Sequence, residues 1–139
     1  MKSFQLLPHT ADTRLSVTGK TMEELFQFAL EGMAYIQKRR FCDQQHGLYF
    51  AEDIVQVKSG DLTTLLIDFL SEVLTLSNIN KTVYCSMLFH KFSNNELKAT
   101  IKGNRVNYFD EEIKAVTYHE AEVKKNQRDQ FETTIVFDI

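Results

Sequence analysis

Two segments of the sequence combine a helix N-cap with apolar residues at helical spacing, and they constrain the fold more than any other feature. The first begins at Thr21, and Glu24 three residues later completes a capping box. Its apolar residues are Met22, Leu25, Phe26, Ala29, Met33 and Ile36. The second begins at Asp61, is expected to end at Asn78, and carries a wider apolar stripe: Leu62, Leu65, Leu66, Phe69, Leu70, Val73 and Leu74. Both segments are predicted to be amphipathic helices that need an apolar partner surface.

Most of the remaining sequence has the character of β-strands. Apolar and polar residues alternate in 15–18, 55–58 and 97–102, and β-branched and aromatic residues are frequent in 82–92, 113–124 and 131–139. Turns are predicted at 94–95 and 126–129. Consecutive strands with short connections favour antiparallel pairing. The predicted fold class is therefore α+β, a mostly antiparallel β-sheet with two amphipathic helices packed on one face, in a single domain that spans residues 1–139.

Charge and cysteine content limit the function classes. The chain has 16 Lys+Arg and 19 Asp+Glu, a formal net charge of -3, which argues against binding nucleic acid through many phosphate contacts. If RNA is involved, we expect a partner to hold it. The sequence has neither a signal peptide nor a membrane-spanning apolar run, so a cytoplasmic protein without membrane contact is predicted. Cys42 and Cys85 lack a CxxC spacing and are predicted to be reduced thiols.

The carboxyl terminus is the most unusual feature. The alternation that begins at Thr133 continues to the last residue, Ile139, so the chain is expected to end within a strand. Asp138 and the α-carboxylate of Ile139 then place two ionised groups one residue apart. A hard metal ion bound by oxygen ligands would offset their repulsion, and so would a lysine or arginine. From these residues alone, an ordinary solvated end that frays is the favoured interpretation.

A turn is predicted at His9 to Asp12, because Pro8 interrupts the local extended pattern. Asp12 could supply a third carboxylate, although a turn aspartate more often bonds its own backbone. His9 could bind a metal, transfer protons or form a hydrogen bond. No second histidine stands at a zinc-ligand spacing from it, so the local pattern does not predict a zinc site.

Other polar residues have commonplace interpretations beside functional ones. Lys114 and His119 are predicted on opposite faces of a strand, since an odd separation changes face, and either could face a site or solvent. Asp68 and Glu72 lie four residues apart on the second helix and could act as general acid and base, although a solvated helix face is the commoner role. The sequence has neither a recognisable nucleophile motif nor a glycine-rich phosphate loop. An enzyme with its own familiar machinery is therefore not supported.

Five segments, taken together and in order, resemble the archease family. They are HTAD (9–12), GKTMEELF (19–26), DLTTLLIDFLSEVL (61–74), IKAVTYHEAEV (113–123) and TIVFDI (134–139). Each motif alone is weak, but their ordered combination is specific. Thr13 and Arg14 depart from the small, apolar and glycine-containing sequence that commonly follows HTAD, and Ser71 stands where the helix motif often has asparagine.

The resemblance implies a small cytosolic protein that assists an RtcB-type RNA ligase, a GTP- and metal-dependent enzyme of tRNA splicing and RNA repair. The ligase joins the RNA ends, while the archease promotes its guanylylation and multiple turnover. The family's metal ligands fall on Asp12, Asp138 and Ile139, and the metal is expected to be Ca²⁺ or Mg²⁺. His9, Lys114 and His119 match other motif positions and are expected near the site or the ligase surface.

Two other functions compete with this interpretation. One is a metal-dependent phosphoester hydrolase in which Asp12 and Asp138 surround an activated water. The other is a general chaperone or modulator of RNA-modifying enzymes, acting through exposed apolar surface. The family resemblance favours the ligase activator over both. Its physical requirement is that the two ends of the chain meet in space.

Overall fold

The computed structural model of the protein describes residues 3–7 and 12–139. Within them lie eight strands and three helices. In chain order they are β1 (Phe4–Leu7), β2 (Thr13–Gly19), α1 (Met22–Gln37), α2 (Phe41–Gln44), β3 (Ala51–Lys58), α3 (Leu62–Asn80), β4 (Thr82–Phe92), β5 (Glu96–Arg105), β6 (Ala115–Thr117), β7 (Lys124–Lys125) and β8 (Phe131–Asp138).

The strands form two antiparallel sheets. The terminal sheet has the order β1-β2-β8-β6, with β7 also paired to β8, and the central sheet has the order β3-β5-β4. The predicted α+β class is thus confirmed. The division into two sheets and the short helix α2 were not predicted, because residue alternation identifies which side chains face the core but not which strands pair.

Both predicted N-caps are present. At the start of α1, the Thr21 hydroxyl accepts a hydrogen bond from the Glu24 amide at 3.0 Å, and the Glu24 carboxylate accepts one from the Lys20 amide at 2.8 Å. At the start of α3, the Asp61 carboxylate accepts a hydrogen bond from the Thr64 amide at 2.8 Å. Because these amides lack partners within the helix, the caps fix where each helix begins.

The helix α3 ends later than predicted. It continues past Asn78 to Asn80, and Lys81 terminates it in the left-handed conformation, with φ 52°. The amide of Lys81 donates to the Ser77 carbonyl, which satisfies one of the last helical acceptors. The chain then enters β4 without a loop, so the strand begins at Thr82, as predicted.

The apolar core joins both long helices to both sheets. The helix α1 contacts β2 and β4, while α3 contacts β6 and all three strands of the central sheet. Close approach is visible at Gly32 of α1, where an added Cβ would lie 2.4 Å from Cδ2 of Leu15. The helix α3 is long and apolar enough to cross a membrane by length and composition. Its apolar stripe is, however, buried in this core: Leu65, Leu66, Ile67, Phe69, Leu70, Val73 and Leu74.

The prediction of two reduced thiols was wrong for this structure. Cys42 of α2 and Cys85 of β4 form a disulfide, with their Cα atoms 5.5 Å apart although they are 43 positions apart in sequence. Packing of α2 against the central sheet brings them together, next to Val83, Val106 and Ala34. Spacing could not reveal this bond, since no local motif connects the two residues.

The segment 113–124 is less regular than the single strand that was predicted. Ala115–Thr117 pairs with β8, and pairing resumes only at Lys124 of β7. Between them lies a turn in which the Ala121 amide donates to the Tyr118 carbonyl at 3.1 Å. Glu120 within this turn has a left-handed backbone, with φ 62°. Lys114 precedes this three-residue strand and His119 follows it. The two residues therefore do not lie on opposite faces of one strand, as was predicted.

Candidate functional site: the acidic end of the terminal sheet

The first and last parts of the chain meet in the terminal sheet. Strands β2 and β8 are antiparallel, and their ladder runs from the Gly19–Phe131 pair to the Thr13–Phe137 pair. Asp12 directly precedes this last pair and Asp138 directly follows it. Two carboxylates that are 126 positions apart in the sequence therefore lie at one end of two neighbouring strands.

The two aspartates differ in exposure. Asp12 is half-buried and its Oδ1 atom is shielded from solvent, whereas Asp138 is exposed. The final residue, Ile139, is also half-buried and packs against the apolar core. This contact holds Ile139 at the same end of the sheet as Asp12 and Asp138.

Strand β6 approaches this end from the other side of β8. Ala115 lies opposite Asp138, and the backbone amide of Lys114 donates to the Asp138 carbonyl at 2.7 Å. The backbone of Lys114 thus helps to hold the penultimate residue in place. Its side chain is exposed, and its role near a site stays a prediction.

His119 lies in the turn after β6 and is coupled to β2 through a neighbour. Its Nε2 atom is 3.7 Å from the Glu120 carboxylate, and the same carboxylate forms an ion pair with the guanidinium of Arg14. Arg14 is only two residues from Asp12 along β2. The ion pair with Arg14 therefore links the turn to β2, the strand that begins at the acidic end. The His119 side chain itself is 74% exposed.

Asp68 does not act together with Glu72. One oxygen of the Asp68 carboxylate accepts a hydrogen bond from the Ser59 hydroxyl at 2.7 Å, and the other accepts one from the Tyr118 hydroxyl. The hydrogen bond to Asp68 raises the pKa of Tyr118, because ionised tyrosine could no longer donate it. Glu72 is exposed. Asp68 is thus a structural anchor between α3 and the turn that follows β6.

The donor chemistry of the acidic end suits a hard cation. Within residues 3–7 and 12–139, no three side chains of His, Cys, Asp or Glu come together as a metal site. The third donor would have to be the terminal carboxylate, which is not a side chain. Asp12, Asp138 and Ile139 then offer only oxygen ligands, the kind that Ca²⁺ and Mg²⁺ prefer. His9 lies outside the described residues.

The ion pair between Arg14 and Glu120 was missed by the sequence analysis. These residues are 106 positions apart, and neither belongs to a motif with a known spacing. The one available signal was that Arg14 departs from the small residues that commonly follow HTAD. The guanidinium of Arg14 is partly buried, and an anionic partner stabilises a charge in such a place. The fold brings the Glu120 carboxylate next to it.

This fold and site define a small α+β protein in which an amino-terminal and a carboxyl-terminal strand together form the acidic end of a sheet. Residues 4–139 match the Archease protein family (MTH1598/TM1083), and the chain belongs to that family. It is 32% identical to the protein archease of Methanosarcina barkeri over 149 residues, covering 99% of this chain and 97% of that one. It is 28% identical to the protein archease of Pyrococcus furiosus, with full coverage of both (100% and 100%).

Solved structures share the same fold. The solution structure of Methanobacterium thermoautotrophicum protein 1598 superposes with a TM-score of 0.77 at 24% identity, covering 100% of both chains. The crystal structure of an archease, a possible chaperone, from Thermotoga maritima superposes with a TM-score of 0.61 at 22% identity, covering 97% of this chain and 96% of that one. At these identities the likeness establishes the architecture.

Proposed function

We propose that this protein is a non-enzymatic, metal-binding activator of an RtcB-type RNA ligase, promoting its guanylylation and multiple turnover in tRNA splicing or RNA repair. One observation carries the proposal: Asp12, Asp138 and the carboxyl terminus lie at one end of the terminal sheet. The acidic end is suited to approach the active site of a ligase, where the ligase binds its own metal ion and nucleotide.

Asp12, Asp138 and the Ile139 carboxylate would hold a Ca²⁺ or Mg²⁺ ion at this end. When bound, such an ion supplies positive charge that offsets the repulsion among the three carboxylates and can interact with phosphate oxygens. The chain itself supplies the positioning. The β2–β8 ladder brings the two aspartates together, the core contact of Ile139 holds the terminus, and the Lys114 amide fixes Asp138.

The chemical step of RNA joining belongs to the ligase in this proposal. Lys114 lies beside the acidic end and His119 lies in the turn after β6, and both are exposed, which suits them to contact the ligase surface. His9 has the same proposed role from its motif position. We place this activity in the cytoplasm, where the ligase and its RNA would be encountered.

Ligase guanylylation provides the test. Purified RtcB-type ligase is incubated with labelled GTP, metal and either the wild-type protein or the Asp12→Asn or Asp138→Asn variant. We expect both variants to lose most of the stimulation, because each removes a carboxylate while preserving side-chain size. Full stimulation by correctly folded variants would disprove the role of the acidic end.

Glu72→Gln serves as the matched control. Glu72 is an exposed carboxylate on α3, so its removal changes net charge equally without touching the acidic end. We expect this variant to stimulate guanylylation as the wild type does. A ligation time course with substoichiometric protein then measures whether multiple turnover follows the same pattern.

A general chaperone function is the second candidate, and exposed apolar side chains favour it. Ile54 and Leu88 are 63% and 58% exposed, and both lie opposite Thr100 on the helix-free face of the central sheet. The Thermotoga maritima relative is described as a possible chaperone. Protection of unrelated proteins from thermal aggregation, lost in Ile54→Ser/Leu88→Ser, would support this function over ligase activation.

A further inference from the structure

A broad, open cleft of mixed polar and apolar lining crosses the helix-free face of the terminal sheet, away from the acidic end. Its volume is about 1180 Å³, and its floor includes Ser16 and Thr18 of β2 together with Gln5 of β1. These residues alternate with Leu15 and Val17, which are buried towards the helices, so the floor belongs to the opposite face. Nothing in the proposed role of the acidic end uses this cleft.

One wall of the cleft is the hairpin that joins β7 to β8. Asn126 organises it, because its side-chain oxygen accepts hydrogen bonds from the amides of Arg128 at 2.8 Å and Gln130 at 3.1 Å. The Asn126 amide also donates to the Gln130 carbonyl at 2.8 Å. These hydrogen bonds stabilise the backbone of the hairpin, whose exposed side chains border the cleft.

Residues 124–132 hold three cations and two carboxylates, a net charge of +1 on an otherwise acidic protein. Lys124, Lys125 and Arg128 all line the cleft, and Glu132 is its one carboxylate. Lys125 is within 3.3 Å of Asp129, but in the described part of the chain neither Lys124 nor Arg128 has an ion pair within 4.0 Å. The net charge of -3 hides this local excess, because it averages over the whole surface.

The neutral groups of the cleft match a sugar-phosphate chain. Hydroxyl groups come from Ser3, Ser16 and Thr18, and side-chain amides come from Gln5, Gln127 and Gln130. Proteins contact nucleic-acid backbones through such hydroxyls and amides together with lysine and arginine.

We propose that this cleft binds the backbone of single-stranded RNA. The choice of RNA rests on the proposed function, while the preference for a phosphate chain rests on the cleft itself. Ser16 lies four residues from Asp12 along β2, a distance of about 13 Å at 3.3 Å per residue. RNA in the cleft would thus lie on a sheet whose other end approaches the ligase. This contact departs from the expectation, based on net charge, that only a partner holds the RNA.

The contact is expected to be weak in isolation. We expect the cations of the cleft to neutralise two or three phosphates. A plot of the logarithm of the association constant for single-stranded RNA against the logarithm of salt concentration should then have a slope of about -1.4 to -2.1. Within a ligase complex, a weak contact gains from the high effective concentration of tethered RNA. A modest patch can therefore contribute to RNA handling even though the protein carries a negative net charge.

Fluorescence anisotropy with labelled single-stranded oligouridine and the intact protein tests the proposal. We expect Lys124→Gln/Arg128→Gln to weaken binding about tenfold and to flatten the salt slope by more than half, because each cation accounts for roughly one phosphate. The control, Lys98→Gln/Lys102→Gln, removes the same charge from the central sheet and should bind as the wild type does. Equal loss in both double variants, or no binding by the wild type, would overturn the proposal.

Competition identifies the ligand class. Unlabelled oligouridine should displace the probe. Equal displacement by inorganic pyrophosphate would assign the cleft to free phosphates, and equal displacement by polyglutamate would assign it to acidic peptides. Either of these two results overturns RNA binding. Amide chemical shifts of the wild-type protein, which need no variant, should change at Ser16, Thr18 and 124–130. The double variant should still stimulate ligase guanylylation, so failure of this inference is distinguishable from failure of the proposed function.

Discussion

Thr13 lies opposite Phe137 as the last pair of the β2–β8 ladder, and this pairing brings Asp12 and Asp138 to one end of the terminal sheet. Each strand of the pair comes from a different end of the sequence. Neither aspartate has the other as a local neighbour, so the acidic end forms only when the sheet does. Metal binding at this end should consequently be coupled to folding.

Appending residues after Ile139 should weaken Ca²⁺ or Mg²⁺ binding, because the α-carboxylate becomes a peptide carbonyl. Isothermal titration calorimetry of the extended and unextended proteins measures the change. Ile139→Val is the control, since it keeps the carboxylate and most of the apolar contact with the core. Equal affinity of the extended protein would show that the terminal carboxylate is not a ligand.

Replacing Tyr84 by Phe should destabilise the protein by about 1–3 kcal/mol, because a partly buried hydrogen bond to a carboxylate is lost. The Tyr84 side chain is buried, and its hydroxyl donates to the Asp53 carboxylate at 2.5 Å and accepts from the Asn80 amide at 3.1 Å. Urea unfolding measures the difference. Tyr108→Phe is the control, since Tyr108 is 64% exposed, and a comparable loss in that variant would contradict the assigned role of the Tyr84 hydroxyl.

Alkaline pH should destabilise the wild type through the same tyrosine. Burial and the hydrogen bond to Asp53 raise the pKa of Tyr84 to about 12. A pKa raised by folding contributes stability that is complete below the unfolded value, near 10, and is lost as the pH rises towards 12. The free energy of unfolding should fall across this range in the wild type and less steeply in Tyr84→Phe. Parallel curves for the two proteins would refute the linkage.

Local patterns predicted the elements of this fold well. The capping residues Thr21 and Asp61 mark the starts of α1 and α3, and β4 occupies the predicted residues, 82–92. The division into two sheets was not predictable in the same way. It depends on which strands exchange hydrogen bonds, and alternation gives each strand a buried face without naming its partner.

The site shows the same limit. From the residues alone, Asp12, Asp138 and the Ile139 carboxylate were possible ligands and a frayed end was favoured. The family resemblance implied that the three form a metal site, and this ligand set stays a prediction. The ion pair of Arg14 with Glu120 and the hydrogen bond of Tyr118 to Asp68 were not anticipated. Both depend on the turn after β6, which was predicted as continuous strand. Such contacts join distant segments, so no spacing rule reports them.

Gly103→Ala should be strongly destabilising, by about 1–3 kcal/mol or more, because the strand backbone cannot yield easily. An added Cβ on Gly103 would lie 1.9 Å from the carbonyl oxygen of Val83 on the neighbouring strand β4. Thermal unfolding followed by circular dichroism measures the effect. Gly60→Ala is the control, since nothing lies within 4 Å of its Cβ position, and equal melting temperatures for the two variants would contradict the packing argument.

Reduction of the Cys42–Cys85 disulfide should lower the free energy of unfolding by about 4 kcal/mol, since cross-linking residues 43 positions apart restricts the unfolded chain. The measurement is urea unfolding with and without dithiothreitol. Cys42→Ala/Cys85→Ala should resemble the reduced wild type and should not respond to dithiothreitol. Because cytosolic thiols are kept reduced, the cross-linked form is expected only where oxidation is possible. Identical unfolding of the wild type in both conditions would show that the bond does not contribute to stability.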